Sequence, residues 1–349
     1  MRDDRHGGVR GPAGRPAAEG PAPAGARDRN STEHIMYAKI VPAVLAAVLF
    51  SSSAMAASPA GERKPPRSVS YRQLDGKTVT VKVAPRRVVI GYGSLAKVWD
   101  LAGGRAVAVP SLPSKEALPE SMRNLPSSGT PQIPNVEAIA AMKPDLVLLM
   151  GHLPRHRDCA GLLKSMKIDA VCVTYNTYND FLQLLDFFCR VNGRNPDDVP
   201  EAKKVIADVQ SVCAKVKGRP APRCALLFAS AAGFSLESRS SGNGIMLEML
   251  GGENILKQKA ARRVKFSYEQ LLLEDPDVIF VVTMGKAPML KKKFEREFVS
   301  QPAWQSMKAV KNGRVHFLPS RLFLYMAGPD YPEAFRYMAE LLYPDAERK

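Results

Sequence analysis

Histidine and cysteine are scarce in this 349-residue chain, five of each, and their placement excludes several chemistries. No two cysteines form a C-x-x-C pair, which argues against a structural zinc site or a redox dithiol. The set Cys159, Cys172, Cys189, Cys213 and Cys224 is odd in number, so in an oxidising compartment at least one thiol stays free or pairs with another chain. There is no G-x-S-x-G elbow and no H-E-x-x-H helix, and beyond residue 56 the histidines are His152, His156 and His316. An exported hydrolase on an α/β scaffold therefore lacks its usual parts, and the chain reads as a non-enzyme without an intrinsic cofactor or directly assigned metal ligands. Acidic residues are also short, 34 against 50 basic, for a formal net charge of +16. Such an excess suits nucleic acid, an anionic membrane face or an anionic ligand. The charges are scattered apart from Lys291-Lys292-Lys293, which reads as a solvated helix face.

The one long apolar stretch lies near the start. Lys39 precedes Ile40 to Phe50, followed by Ser51-Ser52-Ser53 and the small-x-small pattern Ala54-Met55-Ala56. That is a secretory leader, with cleavage expected after Ala56 and a periplasmic destination. The run falls short of the roughly 20 residues that span a bilayer, and no later stretch approaches that length. No cysteine stands at the end of the leader to carry a lipid. Residues 1–35, rich in Arg, Gly, Pro and Ala, read as an extension upstream of a start at Met36. Export leaves nucleic acid without a role as partner.

What is present in abundance is repetition. Val136-Glu137-Ala138-Ile139 runs into Lys143-Pro144-Asp145 and an apolar segment to Leu149; Tyr268-Glu269-Gln270-Leu271-Leu272 runs into Asp275-Pro276-Asp277 and an apolar segment to Val282. Each phrase predicts a short acidic-headed helix, a proline stop and a strand covered on both faces. Two such units predict two similar α/β lobes with a cleft between them. Strands are expected at Val79–Val83, Arg87–Ile90, Asp145–Met150, Ala170–Val173, Cys224–Ala229, Val278–Val282 and Val315–Leu318, separated by helical segments, so the sheets should be mainly parallel. Between the repeats lies an amphipathic segment with Val205, Val209, Val212 and Val216 on one side, the natural connector. The expected division is residues 1–56 as extension and leader, 57–74 as linker, 75–199 as N-terminal lobe, 200–218 as connecting helix and 219–349 as C-terminal lobe.

With these phrases in order, the sequence resembles the class III periplasmic solute-binding proteins, which deliver ferric siderophores, haem and cobalamin to ABC importers. The matching phrases are Pro85-Arg86-Arg87-Val88-Val89, Pro134-Asn135-Val136-Glu137 through Asp145, Leu250-Gly251-Gly252-Glu253-Asn254-Ile255, Ser267-Tyr268-Glu269 through Asp277, and Ala309-Val310-Lys311-Asn312-Gly313-Arg314-Val315, spanning roughly residues 75 to 344. The resemblance implies two lobes joined by one long helix, a ligand between them, and docking on permease subunits through one acidic residue per lobe. The matching positions are Glu137 and Glu269, with Asp158 a weaker candidate. Asn135 and Ser267 are good N-caps, so helix capping is the alternative role for both glutamates.

Ligands of open α/β sheets bind beyond the carboxyl ends of the strands. The loops there hold Tyr92, then Met150 and His152 with Arg155, then Tyr175 and Asn176, and in the second half Arg239, Thr283 with Met284, and Arg321 with Tyr325. The ligand-site candidates are Tyr92, His152, Arg155, Arg239, Arg321 and Tyr325. Arginine grips anionic oxygens in a forked fashion, and tyrosine is a hard donor for ferric iron. Bland alternatives accompany them: Tyr92 as a hinge aromatic, Arg239 as the partner of Glu237, and Arg321 and Tyr325 as flanks of a buried Leu322-Phe323-Leu324. The expected protein is a monomeric periplasmic binding component of an ABC importer carrying a small-molecule ferric chelate of siderophore type, with haem or a corrinoid as alternatives.

Overall fold

In each repeat the Pro-Asp break performs the same backbone service, and this symmetry organises the molecule. The computed structural model describes residues 67–257, 261–285 and 287–344; the leader and the expected cut after Ala56 lie outside them. Arg87 donates from Nη2 to the Met142 carbonyl at 2.6 Å, at the end of helix Val136–Ala141. In the second repeat Arg223 donates from Nη1 to the Glu274 carbonyl at 2.7 Å, at the end of helix Tyr268–Glu274. A guanidinium there satisfies the last carbonyls and faces the negative end of the helix. The aspartate after the proline then accepts the arginine's own backbone N–H, Asp145 from Arg87 at 2.8 Å and Asp277 from Arg223 at 2.9 Å. The residue before each proline is left-handed, Lys143 at φ 48° and Asp275 at φ 39°. Asp277→Ala would strand the Arg223 N–H, so we expect a loss of about 1–3 kcal/mol, read from urea unfolding.

Beyond each break runs a strand whose residues Leu146–Met150 and Val278–Val282 are buried. In the N-terminal lobe β3 (Val88–Ile90), β4 (Leu146–Met150) and β5 (Ala170–Val173) form a parallel sheet in the order β3-β4-β5. The second sheet runs β11 (Val315–Phe317), β10 (Val278–Met284), β6 (Arg223–Ser230), β7 (Gly233–Glu237), β9 (Arg263–Lys265), with β8 (Glu253–Asn254) also on β6. Its β11, β10, β6 and β8 are parallel; β7 and β9 are antiparallel additions. Side chains alternate between two cores along each strand. Leu146, Leu148, Met150, Val278, Phe280 and Val282 share one cluster that spans both lobes, while Val147 and Leu149 enter a second and Ile279 and Val281 a third. A period of two with both faces covered is why these strands are unbroken apolar runs.

The helix Pro200–Val216 buries Ala202, Val205, Val209, Val212 and Val216 in the shared cluster, which also takes the inner face of the closing helix Tyr331–Leu342. The described residues all fall in one compact unit. Within 57–74, the stretch read as a linker, Ser68–Arg72 forms β1, paired antiparallel with β2 (Thr78–Lys82). This hairpin closes the edge of β5 by side chains: the Thr174 N–H donates to the Tyr71 hydroxyl at 2.8 Å and the Cys172 N–H to Gln73 Oε1 at 2.7 Å. Edge N–H groups need partners, and here a phenol and an amide supply them.

All five cysteines are free thiols. Burial pushes Cys159, Cys172, Cys189 and Cys213 up to about 11, and Cys224 higher. A raised thiol pKa means little thiolate at neutral pH, and thiolate is the reactive form. Folded protein should therefore label slowly with a polar thiol reagent, Cys213 first because it alone is partly exposed, and fully after unfolding; rapid native labelling of Cys159 or Cys224 would contradict this.

Candidate functional site

The β3 strand ends at Ile90, and two residues on Tyr92 stands in extended conformation (φ −146°, ψ 135°) before the helix Gly93–Leu101. Its side chain is half-buried. Burial raises the phenol pKa, and Tyr325 of the C-terminal lobe raises it further. Tyr325 follows the helical turn Ser320–Phe323 and is 54% exposed. Tyr92 is held from behind by His156, edge to face at 6.2 Å. His156 is wholly buried: Nδ1 accepts the Met150 N–H at 3.1 Å, so Nε2 carries the proton and donates to the Pro131 carbonyl at 2.9 Å. Burial lowers its pKa, in keeping with that neutral tautomer. Its role is to brace the turn behind Tyr92.

His152, one residue past the Gly151 turn, is half-buried, and its Nδ1 has no hydrogen-bond partner among the described residues. Burial lowers its pKa, followed by the charge of Arg262 from the other lobe and by His156 and Arg157. Arg262 was not among the sequence candidates. Its Nη1 donates to Asn176 Oδ1 at 2.9 Å, linking the segment before β9 to the loop after β5. A second link joins the lobes where Lys97 Nζ meets Asp330 at 2.8 Å. Met284, which ends β10, is 50% exposed, and Ser320 Oγ donates to the Thr283 carbonyl at 3.2 Å.

The other arginines are differently placed. Arg155 is exposed in the first turn of helix Pro154–Ser165, with no hydrogen bond or ion pair among the described residues. Arg239 pairs with Glu248, not with Glu237, whose carboxylate is taken by Arg263 at 2.8 Å and Asn243 at 2.8 Å. Arg321 makes a forked pair with Glu333. Arg239 and Arg321 thus each already have a carboxylate partner. His316, inside β11, stacks obliquely on Phe280 at 6.0 Å, as a structural residue would.

The acidic pair stands apart from these residues. Asn135 Oδ1 accepts the Ala138 N–H at 3.0 Å and Ser267 Oγ the Gln270 N–H at 3.1 Å, so the caps are made by the asparagine and the serine. Glu137 and Glu269 sit exposed in the first turns, and neither has a hydrogen-bond or ion-pair partner among the described residues. Asp158 is exposed on helix Pro154–Ser165. A hollow of about 650 Å3 lined by Pro288, Met289, Lys292, Lys293 and Arg296 on the C-terminal lobe contains neither tyrosine. Tyr92 and His152 follow the carboxyl ends of β3 and β4 in the N-terminal lobe, and Tyr325 follows the Ser320–Phe323 turn in the C-terminal one. Among the described residues no helix is long and apolar enough to cross a membrane.

Two α/β lobes with parallel sheets, joined by one long helix, define a solute-binding architecture. A family model described as periplasmic binding protein matches residues 88–322, and the chain belongs to that family, the class III solute-binding proteins of ABC importers. It is similar to the high-affinity heme uptake system protein IsdE of Staphylococcus aureus, 27% identical over 241 residues, covering 66% of this chain and 79% of that protein. Among solved structures, S. aureus IsdE complexed with heme superposes with a TM-score of 0.61 at 25% identity, over 74% of this chain and 98% of that one. An ABC transporter substrate-binding protein from Listeria monocytogenes gives 0.64 at 24% identity, over 75% and 99%. The function is substrate capture for an ABC importer.

Proposed function

We propose that the captured substrate is a haem-type iron tetrapyrrole, held between Tyr92 and Tyr325, ahead of the ferric siderophore that the sequence alone suggested. The observation that carries this reading is a pair of phenols, Tyr92 after β3 and Tyr325 after the Ser320–Phe323 turn, close enough for Tyr325 to add to the rise in the Tyr92 pKa. Aromatic side chains at the two walls of a cleft suit a flat apolar macrocycle. Burial raises the Tyr92 pKa and so favours the protonated phenol; ferric iron would favour the phenolate and release that proton. The likeness to IsdE, a heme uptake protein, points the same way. An anionic ferric chelate remains the second reading, because Arg155 is exposed and has no ion-pair partner among the described residues.

Glu137 and Glu269 are proposed to dock on the two permease subunits, since the helix caps are made without them and their charges stand free. The proposed lobes are residues 75–199 and 219–349, with 200–218 between them and β1 added to the first. The protein acts as an exported monomer whose leader ends at Ala56, and it has no catalytic role. Thermal unfolding with haemin, cobalamin and ferric siderophores tests the assignment: a ligand at 100 times its Kd stabilises by about 2.7 kcal/mol. Haemin should raise the melting temperature most. A rise with a ferric siderophore alone would restore the siderophore reading.

A further inference from the structure

We propose that the ion pair between Lys97 and Asp330 is the spacer of the ligand cleft, and that these two residues position Tyr92 and Tyr325 for the ligand. The inference rests on the reading of the two phenols as the ligand site and adds the residues that fix their separation. Lys97 Nζ lies 2.8 Å from Asp330 Oδ2, across the lobes, and both side chains are partly buried. Lys97 is on the helix Gly93–Leu101, whose N-cap is Tyr92. It follows Tyr92 by five positions, which is about 7.5 Å of helix. Asp330 follows Tyr325 by five positions, at the end of the turn Gly328–Asp330. The ion pair therefore closes a short loop from one phenol to the other, with a rigid helix as one arm and a packed turn as the other.

The second arm is seated on the N-terminal lobe. Ala327 and Gly328 are buried, and Gly328 is left-handed at φ 63°. A Cβ there would stand 3.5 Å from the Lys97 Cβ and 3.7 Å from the Tyr175 hydroxyl, so the turn passes directly over the helix that carries Lys97. Beyond Asp330, Tyr331 packs on Tyr178 and on Phe181, each at 5.1 Å, and Phe335 packs on Tyr178 at 5.3 Å. Close-packed rings of this kind leave little room for the turn to shift. Asp330 itself occupies the N-cap of the closing helix Tyr331–Leu342, where an aspartate ordinarily accepts a backbone N–H of the first turn. Among the described residues its side chain makes no such bond, and it reaches across to Lys97 instead. An ion pair that is only partly buried adds little to stability, so what this one contributes is geometry.

The test removes either charge while keeping the bulk of the side chain, in Asp330→Asn and Lys97→Met, with Lys97→Arg as the variant that keeps the charge. Haemin should bind about tenfold more weakly to the first two and near wild type to the third. Nitration by tetranitromethane, mapped by mass spectrometry on ligand-free protein, reads the spacing itself. Tyr92 should react faster in Asp330→Asn and Lys97→Met than in the wild type and in Lys97→Arg, while the buried Tyr175 stays slow in all of them. Unchanged Tyr92 nitration, or unchanged haemin affinity, in both charge-removing variants would overturn the spacer and leave the tetrapyrrole reading in place. Faster nitration of Tyr175 together with Tyr92 would overturn it too, because the pair would then hold the fold in general. If haemin does not bind the wild type, the tetrapyrrole reading fails and the nitration rates alone decide the spacer. Both positions are partly exposed, so the variants should fold, and melting curves check this; either charge-removing variant suffices if the other does not.

Discussion

Cells carrying Glu137→Ala together with Glu269→Ala should lose ligand uptake, while the purified variant binds its ligand as tightly as the wild type. Each glutamate is exposed and, among the described residues, without an ion-pair partner, in the first turn of a helix whose cap is supplied by another residue. A carboxylate in that state contributes little to folding, a few tenths of a kcal/mol from the helix dipole. At an interface, removing it leaves a basic group on the permease without its partner, which costs about 2–5 kcal/mol per contact. Two such losses would take productive docking below any working concentration. Equilibrium binding and whole-cell uptake measured on the same variants separate the two effects. Normal uptake by either single variant would make that glutamate a helix-start residue and nothing more.

The second large effect is on the ligand itself. Tyr92→Ala should weaken haemin binding by about 2 kcal/mol or more, as truncation of a central aromatic anchor does, and Tyr325→Ala by a comparable amount from the opposite wall. Tyr92→Phe distinguishes the two ways a phenol can act. If Tyr92 reaches the iron, the phenylalanine variant changes the Soret band and abolishes the proton release that accompanies binding; if it only packs, spectrum and affinity stay near wild type. Loss of the fold is not expected in any of these variants, because His156, which stands behind Tyr92, is fixed by its own bonds to Met150 and Pro131. Unaltered haemin affinity in both alanine variants would place the ligand elsewhere.

The repeated helix, Pro-Asp break and buried strand could be read from the chain because proline geometry and uninterrupted apolar runs are local signals. Their physical basis, the Arg87 and Arg223 side chains closing the helix ends, could not, since it depends on residues more than fifty positions away. The strands β1, β7 and β9 were missed for related reasons. β1 sits beyond a Pro-rich stretch and earns its place through Tyr71 and Gln73, and β7 and β9 are short additions to the edge of the second sheet. Among the candidate residues, Tyr92, His152 and Tyr325 could be picked from the chain because two of them follow parallel strands and the third follows the last one at a short distance. Arg239 and Arg321 were found equally well, but their partners Glu248 and Glu333 are nine and twelve residues away, outside any local rule, so their neutralisation was invisible. Arg262 was invisible too: it precedes a strand, and Asn176 lies 86 residues back.

Adding haemin to the purified mature protein and recording the absorption spectrum puts the proposed substrate to the most direct trial. One equivalent should produce a saturable Soret change that cobalamin and ferric siderophores do not displace, and the change should be diminished in Tyr92→Ala. A Soret band that stays that of free haemin at all ratios, with a ferric siderophore binding tightly to the same sample, would show that the two phenols close on a different iron compound.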